Sequence, residues 1–185
     1  MSYPTYADPI PLPAPLTSGT NIQPWIDPLG DVWVAKNGVN NGNWYRARDV
    51  LHGRWWRTAA YNTTPTAAPV LWDTAAHDTY GMMTLGSGYA VLPISGLWQY
   101  HFQCCITFTA AGQYVATGAL GSMSIRNNQY AYTAANMYIQ AHDIFWGNAN
   151  DHTNIQVYTS VNLSFASAAL TPSDNFFSLS YVGTG

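Results

Sequence analysis

The sequence predicts an all-β fold, an antiparallel sandwich of the jelly-roll kind, and three observations lead there. Many short segments alternate apolar and polar residues with a period of two, as half-buried strands do. Gly, Pro, Asn and Ser break the chain between these segments. No stretch of helical length carries a 3.6-residue apolar period.

The elements follow in chain order. Residues 1–28 hold seven of the eleven prolines, and the run Pro9-Ile-Pro-Leu-Pro-Ala-Pro15 favours extended polyproline II. This segment reads as a disordered tail or as an arm lying on a neighbouring protein, and Ile10, Leu12, Leu16, Ile22, Trp25 and Ile26, too apolar for a free linker, favour the arm. Residues 29–57 read as a small β module. Val32–Lys36 precedes Asn37-Gly38 and Asn41-Gly42, whose positive φ angles suit hairpin turns, and Asn43–Arg46 follows. The segment from Asp49 to His52 extends the second strand or begins one helical turn.

Residues 58–185 form the head. Its clearest strand is 97–109, with Trp98, Tyr100, Phe102, Cys104, Ile106 and Phe108 on one face and Leu97, Gln99, His101, Gln103, Cys105, Thr107 and Thr109 on the other. Residues 155–165 repeat the alternation. Shorter strands are expected at 69–73, 88–92, 121–127, 129–134, 137–145 and 175–182, with loops at 77–88, 110–118 and 146–153. About eight alternating strands without helices give a jelly roll.

Composition narrows the function. Charged residues make up 8% of the 185, glutamate is absent, and Lys36 is the only lysine, while Trp and Tyr number 8 and 13. Aromatics with few Lys or Glu are the enrichment of buried subunit contacts. The outward strand faces carry Gln, Thr, Ser, Asn and Tyr, neutral groups that pair across a symmetry axis without desolvating a charge. The net charge is −3, and beyond Arg57 only Arg126 is basic, so nucleic acid is not an expected partner. No apolar run approaches the roughly 20 residues of a membrane helix, so membrane insertion is not expected. The start, Met1-Ser-Tyr-Pro-Thr-Tyr, lacks the pattern of a signal peptide. Cys104 and Cys105 are neighbours pointing to opposite strand faces and read as two free thiols.

Two resemblances follow from short motifs. Pro69-Val-Leu-Trp-Asp-Thr, and Gly88-Tyr-Ala-Val-Leu-Pro-Ile-Ser-Gly-Leu-Trp-Gln-Tyr-His-Phe with Pro93, Gly96, Trp98 and Tyr100, resemble the complement-type globular head of the tumour necrosis factor superfamily. The ending Asn175-Phe-Phe-Ser-Leu-Ser-Tyr-Val-Gly resembles that family's last strand. The family's Asn-Gly appears here only as Asn127-Asn128, and its Gly-Asp turn is missing. The resemblance covers residues 58–185 and implies an eight- to ten-stranded jelly roll forming a threefold trimer. Upstream, Gly30-Asp-Val-Trp-Val-Ala-Lys-Asn-Gly-Val, the segment Trp44–Arg54 and Arg57-Thr-Ala-Ala-Tyr resemble the linker of small virion proteins in phages of actinobacteria. That resemblance implies a minor tail or capsid-decoration protein, made in the host cytoplasm and located in the virion.

No catalytic signature is present: no nucleophile elbow, phosphate loop, zinc-protease motif or metal-spaced Cys pair. The chain reads as non-enzymatic and needing no cofactor. The polar group His142, Asp143, Asn148, Asn150, Asp151 and His152 is chemically able to ligate a metal, but lacks the alternation of a calcium loop and reads as turn residues. His101, flanked by Gln99 and Gln103, reads as a polar-face residue or as lining a trimer axis.

Trp25, Trp33, Trp44, Trp55 and Trp56 are candidate anchors to other virion proteins, or pack within the module, or stack on sugars. Tyr80, Tyr114, Trp146 and Asn148 are candidate distal-loop residues for a host surface glycan. The function expected is a homotrimeric virion structural protein anchored through its arm, in a tail-tip role, with capsid decoration as the alternative and a free carbohydrate-binding module as a second.

Overall fold

The computed structural model describes residues 23–27, 30–35, 45–58, 62–63, 68–78, 80–107, 114–120, 126–131, 136–159, 163–165 and 175–184. In chain order the elements begin with β1 (Gln23–Ile26), β2 (Val32–Ala35), β3 (Tyr45–Arg46) and the single helical turn α1 (Ala47–Val50). There follow β4 (His52–Trp56), β5 (Asn62–Thr63), β6 (Ala68–Pro69), β7 (Thr74–Asp78), β8 (Ala90–Val91) and β9 (Gly96–Thr107). The last are β10 (Tyr114–Leu120), β11 (Arg126–Ala131), β12 (Asn136–Gly147), β13 (His152–Thr153), β14 (Ile155–Thr159), β15 (Leu163–Phe165) and β16 (Phe176–Gly183).

All pairings among the described residues are antiparallel. The small module is a three-stranded sheet in the order β1-β2-β3. Pro24, which lacks a ladder donor, sits on its edge strand, where that donor is not needed. The hairpin turns expected at Asn37-Gly38 and Asn41-Gly42 lie outside the described residues. The head is a jelly roll of two main sheets. The larger runs β12-β9-β16-β4-β7, with β15 continuing beyond β16 along β9 and β5 beside β15. The smaller runs β11-β10-β14-β6.

The inward residues of the large sheet follow from the period-two pattern. Trp98, Tyr100, Phe102 and Cys104 of β9, and Phe177 and Leu179 of β16, are fully buried, joined by Trp55, Trp72, Leu92 and Ile155. Each large side chain removed from water contributes about 2–3 kcal/mol. Trp55 and Trp72 pack against Phe177 with ring centroids 5.6 and 6.0 Å away, and Trp98 meets Tyr181 edge-on at 5.4 Å. Cys104 and Cys105 are both buried and neither forms a disulfide, and burial pushes the Cys104 thiol up.

Five expectations need revision, the first being the break expected between strands 121–127 and 129–134, which β11 runs through in continuous register with β10. Residues 155–165 are not one strand: β14 lies in the smaller sheet and β15 in the larger, so the chain changes sheets between them. Residues 110–118 are not all loop, because β10 begins at Tyr114. The strand expected at 69–73 reduces to Ala68–Pro69, although the Val70 N–H still donates to the Ile155 carbonyl at 2.8 Å. Finally, β4 lies in the head, between β16 and β7, so a boundary after residue 57 would sever a sheet strand.

The module is continuous with the head. Val32, Val34, Ala47 and Leu51 are buried in the same apolar cluster as Trp98 and Tyr181. The Tyr181 N–H donates to the Leu51 carbonyl at 2.9 Å, tying the end of β16 to the chain leaving α1. The module therefore sits at the Gly183 end of the large sheet.

Candidate functional site

The strand registers gather one set of outward residues on the open face of the large sheet. On β12 these are Tyr138, Gln140, His142, Ile144 and Trp146, and their partners on β9 are Cys105, Gln103, His101, Gln99 and Leu97. On β16, Phe176, Ser178 and Ser180 stand opposite Gln103, His101 and Gln99. On β4, Trp56, Arg54 and His52 stand opposite those three in turn. Arg54 pairs with His77 of β7. One row across five strands thus reads His142, His101, Ser178, Arg54, His77.

The row has internal contacts. The rings of His101 and His142 meet edge-on at 6.1 Å, and His101 meets Phe176 at 4.8 Å. The Arg54 guanidinium lies 4.2 Å from the centre of the Phe176 ring, a cation–π contact. His52 meets His77 at 4.7 Å. The Ser178 hydroxyl donates to the His101 carbonyl at 3.2 Å. Four of the five histidines therefore share this face with Arg54.

The nearest carboxylates belong to the opposite parity. Asp143 accepts from the Ile144 N–H at 2.8 Å. Asp78 accepts from the N–H groups of Met82 and Met83 at 2.7 and 2.9 Å, and from the Trp55 indole at 3.3 Å. With the cations left to themselves on this face, the His101 pKa falls below the ordinary histidine value, first by desolvation, then through His142 and Arg54. That of His77 falls for the same leading reason, with His52 and Arg54 adding to it and Asp78 opposing.

The same face exposes apolar area. Tyr138, Ile144 and Trp146 are each about half exposed along β12, and Val182 is 44% exposed at the end of β16. Neutral amides and hydroxyls separate them. A large, flat face of this chemistry suits another protein surface better than a small molecule.

The expected anchors separate by strand parity. Trp55 is fully buried, so it packs within the head and is not available as an anchor. Its neighbour Trp56 lies on the open face, half-buried. Trp33 is half-buried in the module; its indole donates to Asp27 at 3.0 Å and the Arg46 guanidinium lies 5.4 Å from its ring. Trp25 pairs with Trp33 in register on β1 and β2. Trp44 lies outside the described residues.

The distal-loop set is not brought together. Tyr80 is buried, and burial with the nearby Tyr45 raises its phenol to about 12, so it offers no exposed platform. Tyr114 opens β10, just beyond the Thr107 end of β9. Trp146 pairs with Leu97 at the other end of β9, beside Gly183 and the module. With 12 residues in β9, these ends lie about 35 Å apart. Trp146 is thus at the module end, its indole donating to the Asn148 side chain at 3.3 Å.

Asn148 in turn donates to Asp151 from its backbone and side-chain nitrogens, at 2.8 and 3.2 Å. Asn150 holds φ at 69°, a left-handed value that Asn tolerates. This is turn chemistry, as expected for Asn148, Asn150 and Asp151, whereas His142 and Asp143, also read as turn residues, lie within β12, and His152 lies in β13. Among the described residues, no three His, Cys, Asp or Glu side chains gather as a metal-ligand group. No helix among them is long and apolar enough to cross a membrane.

The histidine row went unrecognised in the sequence except for His101. The four residues are scattered between positions 52 and 142, and only cross-strand register unites them.

No family model matches this chain, and no curated protein matches its sequence. Solved structures do match its fold. The globular domain of zebrafish complement 1qA protein is similar with a TM-score of 0.54 at 10% identity, over 72% of this chain and 98% of that one. The Eiger tumour necrosis factor from S. frugiperda is similar with a TM-score of 0.51, also at 10% identity, over 73% and 94% of the two chains. The head therefore has a jelly-roll fold like those of complement and tumour necrosis factor domains. At such identity the likeness extends to the fold alone.

Proposed function

We propose that this chain is a non-enzymatic bacteriophage virion structural protein, a homotrimer anchored through its N-terminal region and displaying the jelly-roll head, at the tail tip. The observation that carries the trimer is the open face of the large sheet. It combines half-exposed Tyr138, Ile144 and Trp146 with Gln99, Ser178 and Ser180, so a second copy covers apolar area without burying a carboxylate. The fold likeness supports the same reading, since jelly rolls of this kind are typically homotrimers. The virion assignment rests on the linker resemblance between Gly30 and Tyr61. The Pro-rich arm and the module then serve attachment, and the far end of the head meets the cell.

Sedimentation of the full chain at micromolar concentration and neutral pH tests the trimer, with three chain masses expected and a folded monomer contradicting it. Immunogold labelling of purified particles tests the location. Label at the tail tip supports the proposal, label over the capsid moves the protein to the decoration class, and particles without label remove the virion reading.

A further inference from the structure

Four histidines on one sheet face are more than a polar face needs, and their placement gives that face a property that Gln or Ser would not. Arg54, seated on Phe176, is the face's one fixed charge among the described residues, and the groups around it that can gain a charge are imidazoles. Protonation of the row therefore adds only like charge, placed on β12, β9, β4 and β7 of five adjacent strands that at a spacing of about 4.8 Å span roughly 19 Å. We propose that this histidine row is an acid-sensitive release built into the subunit interface, so that the assembled head comes apart as the pH falls from neutral to about 5. This rests on the trimer reading above and adds to it the surface involved and its control.

The groups facing His101 leave nothing to neutralise an added proton. From β12 comes His142, from β4 come Arg54 and His52, from β7 comes His77, and β16 contributes only Phe176, Ser178 and Ser180. Asp143 and Asp78 have the opposite parity and are engaged by backbone N–H groups. Packing a second copy on the face excludes water from the rings and brings like charges together, and both disfavour the protonated form.

The sign follows by linkage. A histidine whose pKa is depressed on assembly binds its proton more readily when free, so assembly is undisturbed above the free-chain pKa, which for His101 and His77 lies below the ordinary histidine value, and weakens as pH drops through it. With one proton taken up per chain on release, the trimer association constant falls by up to about a thousandfold per pH unit. The pKa values of His101 and His77, already lowered within one chain, run in this direction.

The test is sedimentation velocity of the full chain at constant ionic strength, stepped from pH 8.0 to pH 5.0, with near-ultraviolet circular dichroism as the control for folding. Trimer at pH 8.0, folded monomer at pH 5.0 and recovery on return to pH 8.0 are expected. The double variant His101→Gln, His142→Gln should remain trimeric at pH 5.0. If that pair folds poorly, His142→Gln alone, on the exposed edge strand, should shift the midpoint of release to lower pH. Wild type that stays trimeric at pH 5.0 overturns the release mechanism and leaves the trimer standing. So does release at an unchanged midpoint in the variants. A monomer at pH 8.0 overturns the trimer reading itself, and the release with it.

Discussion

The side-chain oxygen of Asn175 accepts the backbone N–H of Cys105 at 2.7 Å, joining residues 70 positions apart where the β9 ladder changes partners. Along β9, the pairing with β16 ends at Gln103 and the pairing with β15 resumes at Ile106. Between them Cys105 would have a buried donor without a strand partner, and Asn175, only 3% exposed, supplies the acceptor. Its own carbonyl takes the Arg57 N–H at 3.1 Å, so one residue fastens the outer lane of the sheet at two points.

Asn175→Ala should therefore destabilise the fold by about 1–3 kcal/mol, the cost of an unsatisfied buried amide. Asn175→Asp keeps an acceptor but buries a carboxylate, so it should cost more at neutral pH than once the carboxyl is protonated, when its carbonyl oxygen still accepts. Urea unfolding at pH 7 and pH 4 checks both. An alanine variant as stable as wild type would mean that another group, or water, satisfies Cys105.

Asp78 binds three donors, the N–H groups of Met82 and Met83 and the Trp55 indole, and so holds the segment leading to β8 against β4. Asp78→Ala should cost about 3 kcal/mol, since hydrogen bonds to a charged acceptor are worth more than neutral ones. Asp78→Asn keeps one acceptor oxygen and should recover part of the loss. A further check is Gly53→Ala, whose new methyl would strike the Trp55 indole beneath the same strand. Thermal melts of the three variants should rank wild type, Asp78→Asn, Asp78→Ala, with Gly53→Ala also well below wild type.

Truncation separates arm from fold. Removing residues 1–22 spares β1, the Asp27–Trp33 hydrogen bond and the whole head, so the melting temperature should move by no more than a few degrees. Starting the chain at residue 58 removes β4, with the fully buried Trp55, from between β16 and β7, and that product should not fold. Under the proposed function, the shorter truncation also fails to enter particles. Full incorporation without residues 1–22 would shift the anchor to the module, where Trp33 and Trp56 remain.

What was legible in the sequence was whatever depends on local period. The alternation in 97–109 identified the inward row Trp98, Tyr100, Phe102 and Cys104, and all four are fully buried. The same rule, applied to Trp55-Trp56, already says that adjacent strand residues face opposite ways; treating both as anchors overlooked it. Other features had no local signal. Residues 155–159 and 163–165 alternate alike, and nothing in that pattern says that they belong to different sheets. The row from His142 to His77 exists only through the registers of β12, β9, β16, β4 and β7. So does the separation of Tyr114 from Trp146, which depends on the direction each strand runs.

That separation divides one expectation into two. If the module end is anchored and the opposite end meets the host, Tyr114 stands at the contacting end and Trp146 at the anchored one. Tyr114→Ala should then slow adsorption of assembled particles to host cells severalfold, with the amount of protein per particle unchanged. Trp146→Ala removes a half-exposed indole from the open face and should act on the trimer instead, weakening association about tenfold or more in dilute solution, as loss of an aromatic contact worth at least 1.4 kcal/mol does. Adsorption per incorporated trimer should stay at the wild-type rate. Measuring adsorption constants alongside the protein content of purified particles resolves the two effects. Particles with Tyr114→Ala that adsorb normally would argue against a cell-contacting far end and favour a capsid position, where resistance of the heads to heat is the property to measure.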